Sequence, residues 1–103
     1  MQIERPPQAE IIRQAAVTKA IGHPSRLLII HALMNHELCV CELRDLLEQD
    51  ISTVSRHLSV LKNAGLLREE KRGLYVYYQL TCPCIIDFLT CVNRIVGETQ
   101  ESA

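Results

Sequence analysis

The stretch DISTVSRHLSVLKNAGLLREEKRGLYVYYQL, residues 50–80, decides the fold because its hydrophobic period changes partway along. In the first half, Val54, Leu58 and Leu61 recur at spacings of four and three residues. This spacing places them on one face of a helix, which we predict over Ile51–Ala64. The rest of that helix is polar.

The second half of the stretch alternates with a period of two, which is typical of strands. We predict strands over Leu67–Glu70 and Leu74–Leu80, joined by Lys71-Arg72-Gly73. Gly65 separates helix from hairpin and suits the left-handed position after a helix. The segment is therefore predicted to be a helix followed by a β-hairpin.

The flanking segments predict further helices. Upstream they cover Ala9–Ile21, His23 to about Asn35, and about Cys41–Leu47; downstream, one begins at Cys82-Pro83-Cys84 and ends near Val96. The predicted fold is mainly α with a β-hairpin wing, in the order α-α-α-α-β-β-α: a winged helix-turn-helix. The predicted organisation is a flexible arm over 1–8, one DNA-binding and dimerisation domain over 9–96, and a polar tail over 97–103. The apolar first and last helices are the expected homodimer surface.

Composition limits the functional class. The 103 residues are 48% hydrophobic with a net charge of −1, so the overall basic balance of many nucleic-acid binders is missing. Basic residues nevertheless concentrate within 17 consecutive positions, at Arg56, Lys62, Arg68, Lys71 and Arg72. A local basic surface on a near-neutral chain is compatible with specific DNA binding.

The chain shows no signal-peptide pattern and no apolar run long enough to span a membrane, so we expect a cytoplasmic protein without a membrane partner. Five cysteines in such a protein are more often ligands or redox groups than structural bridges.

The polar face of the helix over Ile51–Ala64 is the expected reader of double-stranded operator DNA. Arg56 is suited to a guanine edge, whereas hydroxyls and Lys62 more often meet phosphates. Taken alone, such residues more commonly form an ordinary solvated face. The hairpin directly after the helix, together with the family resemblance given below, favours the reading role. The candidate DNA-binding residues are Ser52, Thr53, Ser55, Arg56, His57, Ser59, Lys62, Lys71 and Arg72.

Cys39 and Cys41 lie just ahead of the predicted helix-turn-helix. Side chains two residues apart diverge by about 200° on a helix but point the same way from an extended segment. We therefore place Cys39 in the approach to the third helix and Cys41 at its start, where the helix N-terminus favours a thiolate. Thiolates select soft metals and metalloids. The alternative is that both are small buried residues.

Cys82 and Cys84 flank Pro83, and Cys91 follows two helical turns later. We expect Cys82 and Cys84 to be further metal ligands, with Cys91 either a ligand or a core residue at the dimer seam. Three thiols suit trivalent arsenic or antimony, and four suit zinc or cadmium.

Five segments in register resemble the ArsR/SmtB family of metal-responsive winged-helix repressors. They are His23-Pro24-Ser25-Arg26-Leu27, Glu37-Leu38-Cys39-Val40-Cys41-Glu42-Leu43, Thr53-Val54-Ser55-Arg56-His57-Leu58, Ala64-Gly65-Leu66-Leu67 and Gly73-Leu74-Tyr75-Val76-Tyr77-Tyr78. The resemblance implies a homodimer that leaves its operator when an inducer binds. The cysteine pair implies the arsenite/antimonite branch or the cadmium/lead branch.

The family patterns leave the inducer open. The arsenite pattern has a third cysteine where this chain has Arg44, and the cadmium pattern uses N-terminal cysteines that positions 1–38 lack. The zinc pattern has Asp and His where Cys82 and Cys84 stand. As(III) or Sb(III) is the expected inducer, with Cd, Pb or Zn as alternatives.

Two other functional classes are alternatives to a metal-responsive repressor. A thiol enzyme would need a Cys-x-x-Cys pair or a phosphate-like anion loop, and the sequence has neither, so no enzyme activity is expected. A redox-sensing repressor would use a reversible disulfide, for which Cys82 with Cys91 is the expected pair.

Overall fold

The computed structural model describes residues 2–97 and contains five helices and a three-stranded antiparallel sheet of order β1-β3-β2. The predicted winged helix-turn-helix is confirmed, with one additional short strand. The elements are α1 Gln8–Ile21, α2 Pro24–Ala32, β1 Leu38–Cys39, α3 Val40–Leu47, α4 Ile51–Asn63, β2 Leu67–Arg72, β3 Tyr75–Leu80 and α5 Ile85–Val96.

Helix α4 lies against the centre of the core. Val54, Leu58 and Leu61 are each at most 1% exposed, as their spacing predicts. The helix begins where the Asp50 carboxylate accepts a hydrogen bond from the Thr53 amide at 3.0 Å. It ends before Gly65, whose φ of +90° lies in the left-handed region.

The hairpin turns later than predicted. Lys71 and Arg72 were expected in the loop, but they are the last residues of β2 and pair with Val76 and Tyr75. The turn therefore consists of Gly73, at φ +62°, and Leu74. The strand continues because cross-strand pairing extends as far as a two-residue turn allows.

Strand β1 is an element that the sequence did not predict. Its two residues pair with Tyr78 and Tyr77 of β3, on the edge opposite β2. A two-residue strand is too short to show an alternation of apolar and polar residues in the sequence. It is recognised as a strand only by its pairing with β3.

The predicted end of the second helix was wrong. Helix α2 ends at Ala32 instead of near Asn35, because Leu33 already caps it. In α3, Leu46 is 44% exposed whereas Leu43 is buried. On a helix, Leu46 and Leu47 lie on opposite sides of Leu43, roughly 60° and 40° away, and the core lies on the side of Leu47.

Helices α1 and α5 carry apolar side chains that the protomer leaves exposed. The largest are Ile11, Ile12, Phe88, Ile95 and Val96. They lie on the two helices expected to form a dimer surface. Of the predicted arm and tail, Met1 and residues 98–103 lie outside the described residues. Within residues 2–97, no helix is both long and apolar enough to cross a membrane.

Candidate nucleic-acid interface and thiol site

The solvent face of α4 carries a compact group of hydrogen-bonding side chains. Ser52, Ser55, Arg56 and Ser59 are exposed and Thr53 is half-buried, whereas the opposite face is in the core. The hydrogen bonds from the Thr53 side chain and amide lower the pKa of Asp50 and keep this N-cap charged. Burial of one face therefore orients the other towards any ligand that approaches α4.

His57 was expected on this outer face, but it is 8% exposed. Its ring lies 4.5 Å from that of His23, and its Nδ1 lies 3.4 Å from Nη1 of Arg26. Position 57 is next to Leu58 and three residues after Val54, so it lies at the margin of the buried face. His57 therefore helps to join α4 to the start of α2 and does not face solvent.

The buried surroundings disfavour a charged His57. Burial lowers the pKa of His57, and the neighbouring positive charges of His23, Arg26 and Arg56 lower it further. His23 is the N-cap of α2, and its Nδ1 accepts a hydrogen bond from the Ser25 amide at 3.0 Å. Arg26 was not predicted as a neighbour of α4, because no sequence spacing relates positions 31 residues apart.

Lys62, a predicted phosphate ligand, is paired within the protein. Its Nζ lies 3.2 Å from the Glu69 carboxylate of β2. The same carboxylate accepts a hydrogen bond at 3.0 Å from the Tyr78 hydroxyl, and burial with this hydrogen bond raises the pKa of Tyr78 to about 12. Lys62 thus connects α4 to the hairpin.

Arg72 is also paired instead of projecting freely from the hairpin. Its guanidinium contacts the carboxylates of Glu37 and Glu70 and lies 4.7 Å from the centre of the Tyr77 ring. Hydrogen bonds from Arg72 lower the pKa of Glu37, and this pairing raises the pKa of Arg72. Of the cations predicted to contact DNA, Arg56 and Lys71 take part in no such ion pair among residues 2–97.

The first thiol pair lies where the sequence predicted. Cys39 is extended, with φ −89° and ψ 167°, and is the N-cap of α3, whereas Cys41 lies in the first turn. Cys39 is buried and Cys41 is exposed. The Glu42 carboxylate accepts a hydrogen bond from the Cys39 amide at 2.9 Å and fixes the backbone at this junction. The predicted ligand role of both thiols stays a prediction.

The second group differs from the expectation. Cys82 and Cys84 form a disulfide, so in this state neither offers a thiolate, and the expected pairing of Cys82 with Cys91 is wrong. The bridge forms because Pro83 turns the chain just before α5 and brings Cys84 back towards Cys82. Cys91 is an exposed free thiol on α5.

The cysteines do not form one site within the protomer. No group of three or more His, Cys, Asp or Glu side chains suited to a metal occurs in the described part of the chain, residues 2–97. The first pair offers two sulfurs, whereas the thiophilic ions considered above take three or four.

The chain is similar in sequence to known regulatory proteins. The family model described as the arsR family of bacterial regulatory proteins matches residues 23–69, which contain the helix-turn-helix and the first thiol pair. An HTH-type transcriptional regulator of Methanocaldococcus jannaschii is 32% identical over 84 residues, covering 81% of this chain and 94% of its own.

Two relatives carry the names of resistance functions. A Staphylococcus aureus homolog of the cadmium resistance regulatory protein CadC is 40% identical, over 64% of this chain and 55% of its own. The arsenical resistance operon repressor of Escherichia coli is 41% identical, over 61% of this chain and 55% of its own. The match thus spans about half the length of each.

The fold is also that of a solved structure. A homodimeric winged helix-turn-helix DNA-binding domain from Mycobacterium bovis superposes with a TM-score of 0.79. The match covers 98% of this chain and 94% of that domain, at 24% identity. This similarity supports the architecture alone.

Acid should destabilise the protein through His57. Because the folded chain lowers the pKa of His57, the unfolded chain binds this proton more readily, and the free energy of unfolding falls as the pH drops below about 6.5. We expect His57→Gln to weaken the pH dependence measured by urea denaturation between about pH 7.5 and 5. The exposed His36→Gln is the control. An undiminished pH dependence in His57→Gln would contradict the assignment.

Proposed function

The chain belongs to the arsR family of bacterial regulatory proteins, and we propose that it is a homodimeric, cytoplasmic repressor that releases operator DNA when cysteine thiolates bind a thiophilic ion. The observation that carries this proposal is the position of Cys39 and Cys41. They lie at the start of α3, the helix that packs against α4 in the helix-turn-helix.

The DNA-binding part of the proposal rests on α4. Arg56 is exposed beside Ser52, Ser55 and Ser59, and a guanidinium is suited to bidentate contact with guanine in the major groove. A two-fold dimer through α1 and α5 would place the two copies of α4 about one DNA turn apart, roughly 34–36 Å. Lys71 would meet the DNA backbone from the wing.

Release requires the ion to bind the DNA-incompetent dimer more tightly than the DNA-competent one. Cys39 belongs to β1 and Cys41 to the first turn of α3, so closing both sulfurs on one atom would distort that junction. Because α3 packs against α4, the distortion would displace the reading helix.

We propose As(III) or Sb(III) as the inducer, with Cys39 and Cys41 as two ligands. A third thiolate would come from the group Cys82, Cys84 and Cys91, on the same chain or the partner, once the disulfide is reduced. Cadmium, lead or zinc would use the same sulfurs with more ligands. The two resistance regulators named above support this class of inducer without choosing within it.

The thiol assignment is tested with single substitutions. Cys39→Ser and Cys41→Ser should bind operator DNA without arsenite as the wild type does, but each should lose most of the arsenite-induced release. Fluorescence anisotropy of labelled operator DNA, with reductant present, measures this. Cys91→Ser, assayed in parallel, reports whether that thiol supplies the third ligand. If Cys39→Ser and Cys41→Ser both respond normally, this ligand pair is wrong.

The two unpaired cations should affect DNA binding differently. Arg56→Ala should cost about 1–3 kcal/mol of operator binding and reduce discrimination against scrambled DNA. Lys71→Ala should weaken all sequences about equally and reduce the slope of log affinity against log salt by about 1. Unchanged discrimination in Arg56→Ala would count against α4 as the reader.

A redox-sensing repressor is the second candidate, and the Cys82–Cys84 disulfide favours it. Two thiols would pass two electrons and two protons to hydrogen peroxide, giving the disulfide and two waters. The bridge lies at the start of α5, so its formation would alter a helix of the expected dimer surface.

The redox candidate predicts that peroxide releases operator DNA without any metal, and that a thiol reductant reverses the release. Cys84→Ser should abolish this response, because no Cys82–Cys84 bridge can form. Electrophoretic mobility shifts of the operator measure the release. Release by peroxide in the Cys84→Ser variant would exclude this pair as the sensor.

A further inference from the structure

We propose that Glu37 is a positioning residue that couples the thiol pair to the wing by holding Arg72 and Gln79. The inference rests on the proposed function, since it assigns the route by which the Cys39/Cys41 site acts on DNA binding. It adds the hairpin to α4 as a second element that the thiols control.

The backbone brings the thiol pair and the wing together. Glu37 immediately precedes β1, and the β1 residues Leu38 and Cys39 pair with Tyr78 and Tyr77 of β3. Strand β3 is the central strand and also one arm of the wing. A displacement of Cys39 therefore acts directly on the neighbouring Glu37 and on the edge of the wing.

The Glu37 carboxylate makes three side-chain hydrogen bonds to the hairpin. It accepts from both terminal nitrogens of Arg72, one of them at 2.8 Å, and from Nε2 of Gln79 at 2.6 Å. Paired Arg–carboxylate bonds fix orientation as well as distance. Gln79 in turn accepts from Nε of Arg68 at 3.0 Å, so the network joins β2, β3 and the residue directly before β1.

Arg72 is the position through which this network reaches the wing tip. It is the last residue of β2, directly before the Gly73-Leu74 turn. Its guanidinium is also held by Glu70 at 2.7 Å and stacks over Tyr77. The side chains of Arg72 and Glu37 are 40% and 35% exposed, so the contact is modest in strength and can open without unfolding the sheet.

The direction of the coupling follows from these contacts. With the thiols free, Glu37 holds Arg72 and fixes the wing beside α4. When an ion draws Cys39 and Cys41 together, the backbone before Cys39 moves and withdraws the Glu37 carboxylate. Arg72 and Gln79 then lose their shared partner, and the wing loses its fixed position on DNA.

Glu70 provides a matched control. Glu37→Gln and Glu70→Gln each remove one negative charge and one ion pair of Arg72, but only Glu37 adjoins the strand that carries Cys39. A difference between the two variants therefore reports connection to the thiols and not the charge of the wing.

The experiment measures operator affinity by anisotropy with and without arsenite, and arsenite binding by thiolate absorbance in the absence of DNA. In Glu37→Gln, arsenite binding should stay unchanged while the arsenite-induced loss of operator affinity shrinks about fivefold, the lower end of typical coupling factors. In Glu70→Gln that loss should stay at the wild-type value. Equal behaviour of the two variants, or an unchanged loss in Glu37→Gln, would overturn the proposal.

A second measurement needs no ion and separates this inference from the proposed function. Amide hydrogen exchange should become faster both in β1 and in the Gly73-Leu74 turn in Glu37→Gln, and likewise in Arg72→Gln, but not in β1 in Glu70→Gln. If arsenite, cadmium and lead all fail to release operator DNA from the wild type, the proposed function fails. Hydrogen exchange still tests whether Glu37 couples β1 to the wing. Faster exchange confined to the segment next to the substituted residue would refute the coupling.

Discussion

The structure depends on the complete burial of one face of α4. Val54, Leu58 and Leu61 contact the core from α2, α3 and the sheet, and each deleted core methylene costs stability through lost burial and through the cavity left behind. Fixing this face leaves the helix with no freedom to rotate. The serines and Arg56 on the opposite face are therefore presented in one orientation, which a protein that reads a groove needs.

Ion pairing within the chain, as well as the sequence, decides which basic side chains are available for outside contacts. The basic stretch over 56–72 contains five cations, but Lys62 and Arg72 are engaged by Glu69, Glu37 and Glu70. The Lys62–Glu69 pair connects α4 to the hairpin, and the Arg72–Glu37 pair connects the residue before β1 to it. The same acidic residues that bring the net charge near zero thus build the wing into the body of the domain. Arg68 bonds to Gln79, and the two remaining cations of the stretch are Arg56 and Lys71.

The two sulfur groups occupy different structural settings. Cys39 and Cys41 lie at a strand–helix junction fixed by the Glu42 carboxylate and by pairing with Tyr77. Cys82 and Cys84 lie directly before α5, a helix that exposes large apolar side chains. The first setting adjoins the helix-turn-helix and the wing, whereas the second lies at the start of α5, one of the two helices of the expected dimer surface.

The sequence by itself determined the order of the helices and hairpin, the buried face of α4, and the placement of Cys39 in an extended segment and Cys41 in the first turn of α3. These features follow from local periodicity and capping, which act over a few residues. Tertiary structure alone decided that β1 forms, that His57 is buried beside His23 and Arg26, and that Arg72 is held by Glu37. The physical reason is that each of these contacts joins positions some 30 or more residues apart, where burial and charge pairing depend on which surfaces the folded chain brings together.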